Sequence, residues 1–114
     1  MASTTAFVNS MLDTAFTGTI TMKLFTGGLP TASGVEVSGG SYTAQTLTLG
    51  AAASKTKATT SNVIFSDLPT GTPIVAYGIY KGGTLVHEEL LAPAFTPDVT
   101  NNELEISFSY SLNV

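Results

Sequence analysis

The 114-residue chain contains no cysteine and no arginine. Without cysteine it can form neither a disulfide nor a thiolate metal site, a composition suited to a reducing cytoplasm. Its cations are four scattered lysines, Lys23, Lys55, Lys57 and Lys81, and its net charge is -4. Nucleic-acid binding depends on a basic surface that neutralises phosphates, so it is not expected. Charge of either sign is scarce, at 11% of residues against about 25% in an average globular chain. Mean hydropathy is positive, yet no stretch approaches the roughly 20 apolar residues of a membrane helix, so no membrane partner is expected. The first basic residue is Lys23, so a secretory leader with its charged start is not expected either.

Thr, Ser, Gly and Ala are what is abundant. They predict a surface that is polar but weakly hydrated, suited to permanent contact with other protein. The length suits one domain over residues 1–114, in which folding buries roughly two-thirds of the unfolded chain's surface. A helical segment is expected over residues 1–17 and a β-domain over residues 18–114.

Ala6 to Phe16 predicts the helix. Val8, Met11, Leu12 and Ala15 recur at helical spacing, with Phe7 and Phe16 flanking the stripe. Ser3, Thr4 or Thr5 supplies a cap at its start, and Gly18 follows its end. Three turns are marginal without packing. The apolar stripe is expected to dock either on the chain's own sandwich or on a neighbouring subunit.

From Thr19 onward the period changes to two. Ile20, Met22 and Leu24 oppose Thr19, Thr21 and Lys23, which predicts a half-buried strand. Leu104, Ile106, Phe108, Tyr110 and Leu112 alternate with Glu105, Ser107, Ser109, Ser111 and Asn113 in the same way. Further strands are expected over Ser41 to Leu49, Asn62 to Leu68, Pro73 to Lys81 and Thr84 to Leu91. The Pro73 to Lys81 run is apolar on both faces, which predicts a central strand or one covered on its outside. Lys81-Gly82-Gly83 predicts a hairpin turn. Thr26 to Ser41 and Gly50 to Thr59 are expected as long loops suited to contacts. Many short strands with dense turns predict an all-β antiparallel sandwich, jelly-roll or Ig-like, with one short N-terminal helix.

Catalysis requires convergent reactive groups, and the sequence supplies few. The one histidine, His87, is expected to share a strand face with Glu89, which makes two ligands and no third. No G-x-S-x-G, no phosphate-binding glycine loop and no calcium loop is present. Glu103 and Glu105 fall on a polar strand face, the usual place for solvated acids. A non-enzymatic protein without cofactor or metal is expected.

One segment is more specific. Lys23-Leu24-Phe25-Thr26-Gly27-Gly28-Leu29-Pro30 leads into Gly34-Val35 and then Glu36-Val37-Ser38-Gly39-Gly40-Ser41-Tyr42. That run resembles the E-V-S-G-G-S-Y pattern of a family of small tailed-bacteriophage virion proteins. Ser61-Asn62-Val63-Ile64-Phe65, Val75-Ala76-Tyr77-Gly78-Ile79-Tyr80 and Gly82-Gly83-Thr84-Leu85 are similar to later family segments, in the same order. The arginine that often follows the tyrosine is replaced by Thr43-Ala44-Gln45, and Lys81 stands where relatives carry an aspartate.

The resemblance implies a structural component of a virion, made in the host cytoplasm. It implies either a capsid cement or decoration protein, or a tail, collar or fibre component with a host-surface or glycan-binding role. A single short domain without shaft repeats suits the former. The expected partners are then the major capsid protein on the outer shell and further copies of this chain in a homotrimer. Phe7, Val8, Met11, Leu12, Glu36 and Tyr42 are the candidate interface residues. Exposed rings would support the glycan-binding reading; Tyr42, Tyr77 and Tyr80 are the candidates, and core or rim packing accounts for them equally well.

Overall fold

In a computed structural model of the chain, residues 3–112 together with 114 are described. The alternating run after Gly18 forms β1 (Ile20–Thr26), whose Ile20, Met22 and Leu24 are buried. Its partner on one side is β6 (Ile74–Lys81), antiparallel over the length from Ile20↔Lys81 to Phe25↔Ala76. On β6 follows β7 (Thr84–Phe95), joined through the Gly82-Gly83 turn. The other edge of β1 is shared by β2 (Val35–Glu36) and β3 (Gln45–Thr46). The main sheet therefore runs β2-β1-β6-β7, with β3 beside β1. This explains the doubly apolar β6. It is central, and the loop after β1 folds over its outer face, bringing Pro30 against Gly78. A Cβ on Gly78 would lie 3.0–3.1 Å from Leu85, Tyr80 and Pro30, so the layer closes only because a glycine stands there.

The second layer is a bent two-stranded ribbon. Here β4 (Thr56–Ala58) pairs with β9 (Ser109–Ser111), and β5 (Val63–Phe65) pairs with β8 (Leu104–Ile106). Between the two ladders, the stretch from Ala58 to Val63 is two residues longer than the facing stretch from Ile106 to Ser109. An extra pair of residues bends the ribbon without changing side-chain parity, whereas one extra residue would turn every later side chain over. Hence Ile106 and Phe108 are buried while Glu105, Ser107, Ser109 and Ser111 stay exposed, although the expected single strand is two short ones. Val63, Phe65, Leu68, Ile106 and Phe108 of the ribbon side pack on Ile20, Met22, Leu24, Tyr77 and Ile79 of the main sheet. The domain is all-β, antiparallel and sandwich-like, with one short helix.

Several expected spans differ, and the expected loop Thr26 to Ser41 contains β2. Ser41 to Leu49 holds only β3 and a single bridge at Leu49↔Thr59. Ser41 and Tyr42 are drawn away to Asp67 and Glu36, which leaves Gln45–Thr46 to pair with β1. The expected loop Gly50 to Thr59 contains β4. Ala53 and Thr56 bond each other's backbones around Ser54 and Lys55, both left-handed at φ 51° and 61°. That turn sends Thr56–Ala58 back along β9.

The helix α1 spans Thr5–Ala15 and is capped by the Thr4 hydroxyl, which accepts the Phe7 N–H at 3.2 Å. It has no basic residue in its last turn; instead Lys81, from the end of β6, donates to the Ala15 carbonyl at 2.9 Å.

Candidate functional site

Helix α1 docks on β4 of its own chain. Val8 and Leu12 are fully buried there. Three polar contacts hold the same face: the Lys55 N–H donates to Asn9 Oδ1 at 2.9 Å, the Ala52 N–H to Asp13 Oδ1 at 2.8 Å, and Lys57 Nζ to Asp13 at 2.7 Å. The Lys57 side chain is nearly buried, so its ammonium depends on Asp13 for a partner. That contact, with the Ala52 N–H, holds the Asp13 carboxyl below its usual range. Of the expected interface residues, Val8 and Leu12 thus belong to this chain's interior. Phe7 and Met11 remain on the surface, 59% and 39% exposed.

Beside the exposed flank of α1 lies an apolar cleft of about 250 Å³. Met11, Leu12 and Phe16 form one wall, Val86 of β7 another, and Tyr110 and Leu112 the third. Its interior wall is aromatic: Phe16 lies 5.6 Å from Tyr110 and 6.1 Å from Phe108, centroid to centroid, and His87 packs 5.7 Å from Tyr110. Val86 sits at an irregularity, since Ile79 faces His87 while Tyr80 faces Leu85. The strand pattern around Thr84 to Leu91 gives no sign of that extra residue, so Val86 was not legible as a cleft residue. Tyr110 and Leu112 were legible as inward-facing, but not as incompletely covered.

Glu36 and Tyr42 lie elsewhere, near the Phe25 end of β1, whereas Ile20 at its other end pairs with Lys81 beside α1. The six candidate residues therefore do not form one patch. Tyr42 donates to Glu36 Oε2 at 2.8 Å, accepts the Leu24 N–H at 3.1 Å, and stacks on Phe65. Burial pushes its hydroxyl above the ordinary phenol range, and the Glu36 carboxylate adds to the shift. Glu36 also faces Lys23 Nζ at 4.0 Å.

The remaining singled-out groups are likewise engaged. His87 and Glu89 do share the inward face of β7, opposite Ile79 and Tyr77. Glu89 accepts the Tyr77 hydroxyl, and His87 lies against Phe108 and Tyr110. Among the described residues no group of three or more acids and histidines is placed to hold a metal. Tyr77 is buried, and Tyr80 carries Lys23 Nζ 4.6 Å over its ring. Glu103 and Glu105 accept bonds from Ser66 and Asn62 on the outer ribbon face. No described helix is long and apolar enough to cross a membrane.

The arrangement offers surface for contact. At one edge of the main sheet, β7 pairs only with β6 among the described strands. Its register breaks at Val86 and again between Leu90 and Phe95, around Pro93. Bulges and proline discourage addition of another strand, so side chains rather than backbone are what this edge presents. Compared with protein-family models, curated proteins and solved structures, the chain matches none.

Proposed function

We propose that this chain is a structural protein of a tailed-bacteriophage particle, a cement or decoration protein that binds the outer face of the major capsid protein lattice. The observation that carries the reading is the likeness of Glu36 to Tyr42 to the phage family pattern. Within this fold each chemically distinctive residue of that run has an internal task. Glu36 and Tyr42 bond each other, Ser41 bonds Asp67 at 2.7 Å, and Gly40 passes close to the Asp67 carbonyl. Residues that hold the fold together are what this run supplies, which supports the reading of a structural part. The charge-poor surface with apolar side chains at Phe7, Val35, Ile64, Leu90 and Val99 accords with docking on other protein.

The mechanism is mass action. A protein that binds the assembled lattice and not its separated subunits stabilises the shell by its binding free energy, and contacts shared among several subunits add avidity. Quantitative mass spectrometry of particles of the encoding phage tests this. Close to one copy per major capsid subunit is expected. A copy number of a few per cent transfers the chain to the tail or collar, and absence from the particle ends the reading.

A further inference from the structure

The two ends of the molecule carry opposite charge. At the α1 end, Lys81 touches Ala15 and Lys55 is bonded through its backbone to Asn9, and these two cations are in excess because the third, Lys57, is neutralised by Asp13. At the other end, Asp67, Asp98 and Glu103 lie in connected loops: Ser66 bonds Glu103, the Leu68 N–H donates to the Asn102 carbonyl, and the Gly71 N–H donates to the Pro97 carbonyl. No lysine occurs in the segments that build this end. The two ends are held apart by β6, whose eight residues span ~23 Å, on a body measuring 49 × 27 × 25 Å.

Each end also carries one half of an apolar contact. The acidic end presents Val99, 87% exposed, the most exposed large apolar side chain among the described residues. It stands on a hydrogen-bonded turn in which Asp98 accepts the Thr100 N–H, the Thr100 hydroxyl and the Asn101 N–H at 2.7–2.9 Å. The basic end holds the cleft of Met11, Phe16, Val86, Tyr110 and Leu112, whose neighbour Ala15 is bonded by Lys81.

The geometry points to head-to-tail self-association, in which Val99 of one copy enters the apolar cleft beside α1 of the next. The acids around the knob then face Lys81, bonded at Ala15, and Lys55, bonded at Leu112, beside the cleft, so the occupant with matching charge and shape is a second copy of this chain. Knob and cleft lie at opposite ends, so the contact is heterologous: it closes a ring if the rotation between copies permits and otherwise continues as a filament. The inference extends the structural reading above. It is read on the isolated protein, so it can fail while that reading stands.

Sedimentation of the full chain with two variants tests it. The wild type is expected to associate, and to weaken several-fold as the Debye length falls from ~10 Å at 0.1 M salt to ~3 Å at 1 M. Val99→Asp removes the knob and Met11→Glu blocks the cleft, and each alone is expected to remain monomeric. Mixed in equal amounts they restore one good contact, between the intact knob of the Met11 variant and the intact cleft of the Val99 variant, and form a dimer. Circular dichroism verifies that each is folded; should Met11→Glu disturb α1, Val86→Asp blocks the same cleft from β7. A monomeric wild type, a Val99→Asp variant that associates like wild type, or a mixture that stays monomeric overturns the inference.

Discussion

Tyr42 closes a circuit with Glu36: its hydroxyl donates to the carboxylate at 2.8 Å and accepts the Leu24 N–H at 3.1 Å. The chain leaves β1 after Val37, whose N–H bonds the Leu24 carbonyl, and rejoins it at Gln45. The hydroxyl thus ties the excursion back to the strand it left. In Tyr42→Phe the part-buried Leu24 N–H loses its partner, at a cost of ~1–3 kcal/mol. Thermal unfolding followed by circular dichroism is expected to show a midpoint several degrees lower. An unchanged midpoint would mean that water takes over the hydroxyl's role.

Two glycines with the same backbone angle separate strain from crowding. Gly40 and Gly82 both have φ +57°, but a Cβ on Gly40 would lie 2.4 Å from the Asp67 carbonyl oxygen, and one on Gly82 meets nothing within 4 Å. Alanine at Gly82 is expected to cost only the left-handed penalty, ~1–2 kcal/mol. Alanine at Gly40 adds a clash with backbone and costs a further ~1–3 kcal/mol. Chemical denaturation of the pair checks the difference; equal costs would show that the Asp67 loop moves aside freely.

The Ser54-Lys55 turn keeps two non-glycine residues at positive φ. Its position is enforced from outside, since the Lys55 N–H bonds Asn9 of α1 and the Lys55 carbonyl accepts the Leu112 N–H at 3.0 Å. Lys55→Gly keeps both backbone contacts and relieves the left-handed penalty, partly offset by the entropy of glycine. A gain of ~0.5–1 kcal/mol is expected from these two effects, read as a higher denaturation midpoint. A loss would assign the turn's stability to the Lys55 side chain, which reaches the Val114 carbonyl at 3.1 Å.

The Asp13 carboxyl is held below its ordinary value, first by the Lys57 hydrogen bond and then by the Ala52 N–H. A carboxylate whose folded pKa lies below its unfolded pKa contributes stability that is fully present above the unfolded value and lost as pH falls through the folded one. Asp13→Asn keeps an acceptor for Ala52 and removes the charge. Urea unfolding from about pH 7 to about pH 2.5 is expected to show wild type more stable than the variant above ~4, with the gap closing below it. A gap that persists at the acid end would show that the ion pair is not its source.

Local pattern told much of this fold. Period two at Ile20, Met22 and Leu24, and again from Leu104 to Leu112, marks which side chains turn inward, because a strand's alternation depends only on backbone pleat. The helical stripe, its Thr4 cap and the Gly82-Gly83 turn are equally local. The candidate site was less legible. The stripe Phe7, Val8, Met11, Leu12 reads as one apolar surface, yet Val8 and Leu12 are buried while Phe7 and Met11 stay exposed. That division depends on where β4 lies against the helix. The sequence also gives no warning that Lys57 is nearly buried, because its strand neighbours are Thr56 and Ala58 and its partner Asp13 lies 44 residues earlier.

The amino-acid sequence by itself determined the class of the protein: one β-rich domain, poor in charge, without cysteine, with its inward faces written as alternation. Only the tertiary structure decided which edge β2 and β3 share, which strand stands at the other edge, and that Val99 and the α1 cleft lie at opposite ends of the body. The physical reason is one of range. Side-chain periodicity follows from the geometry of a few consecutive residues. Strand order, bulges that move Val86, and the meeting of Asp13 with Lys57 follow from contacts between distant segments, and no local pattern encodes them.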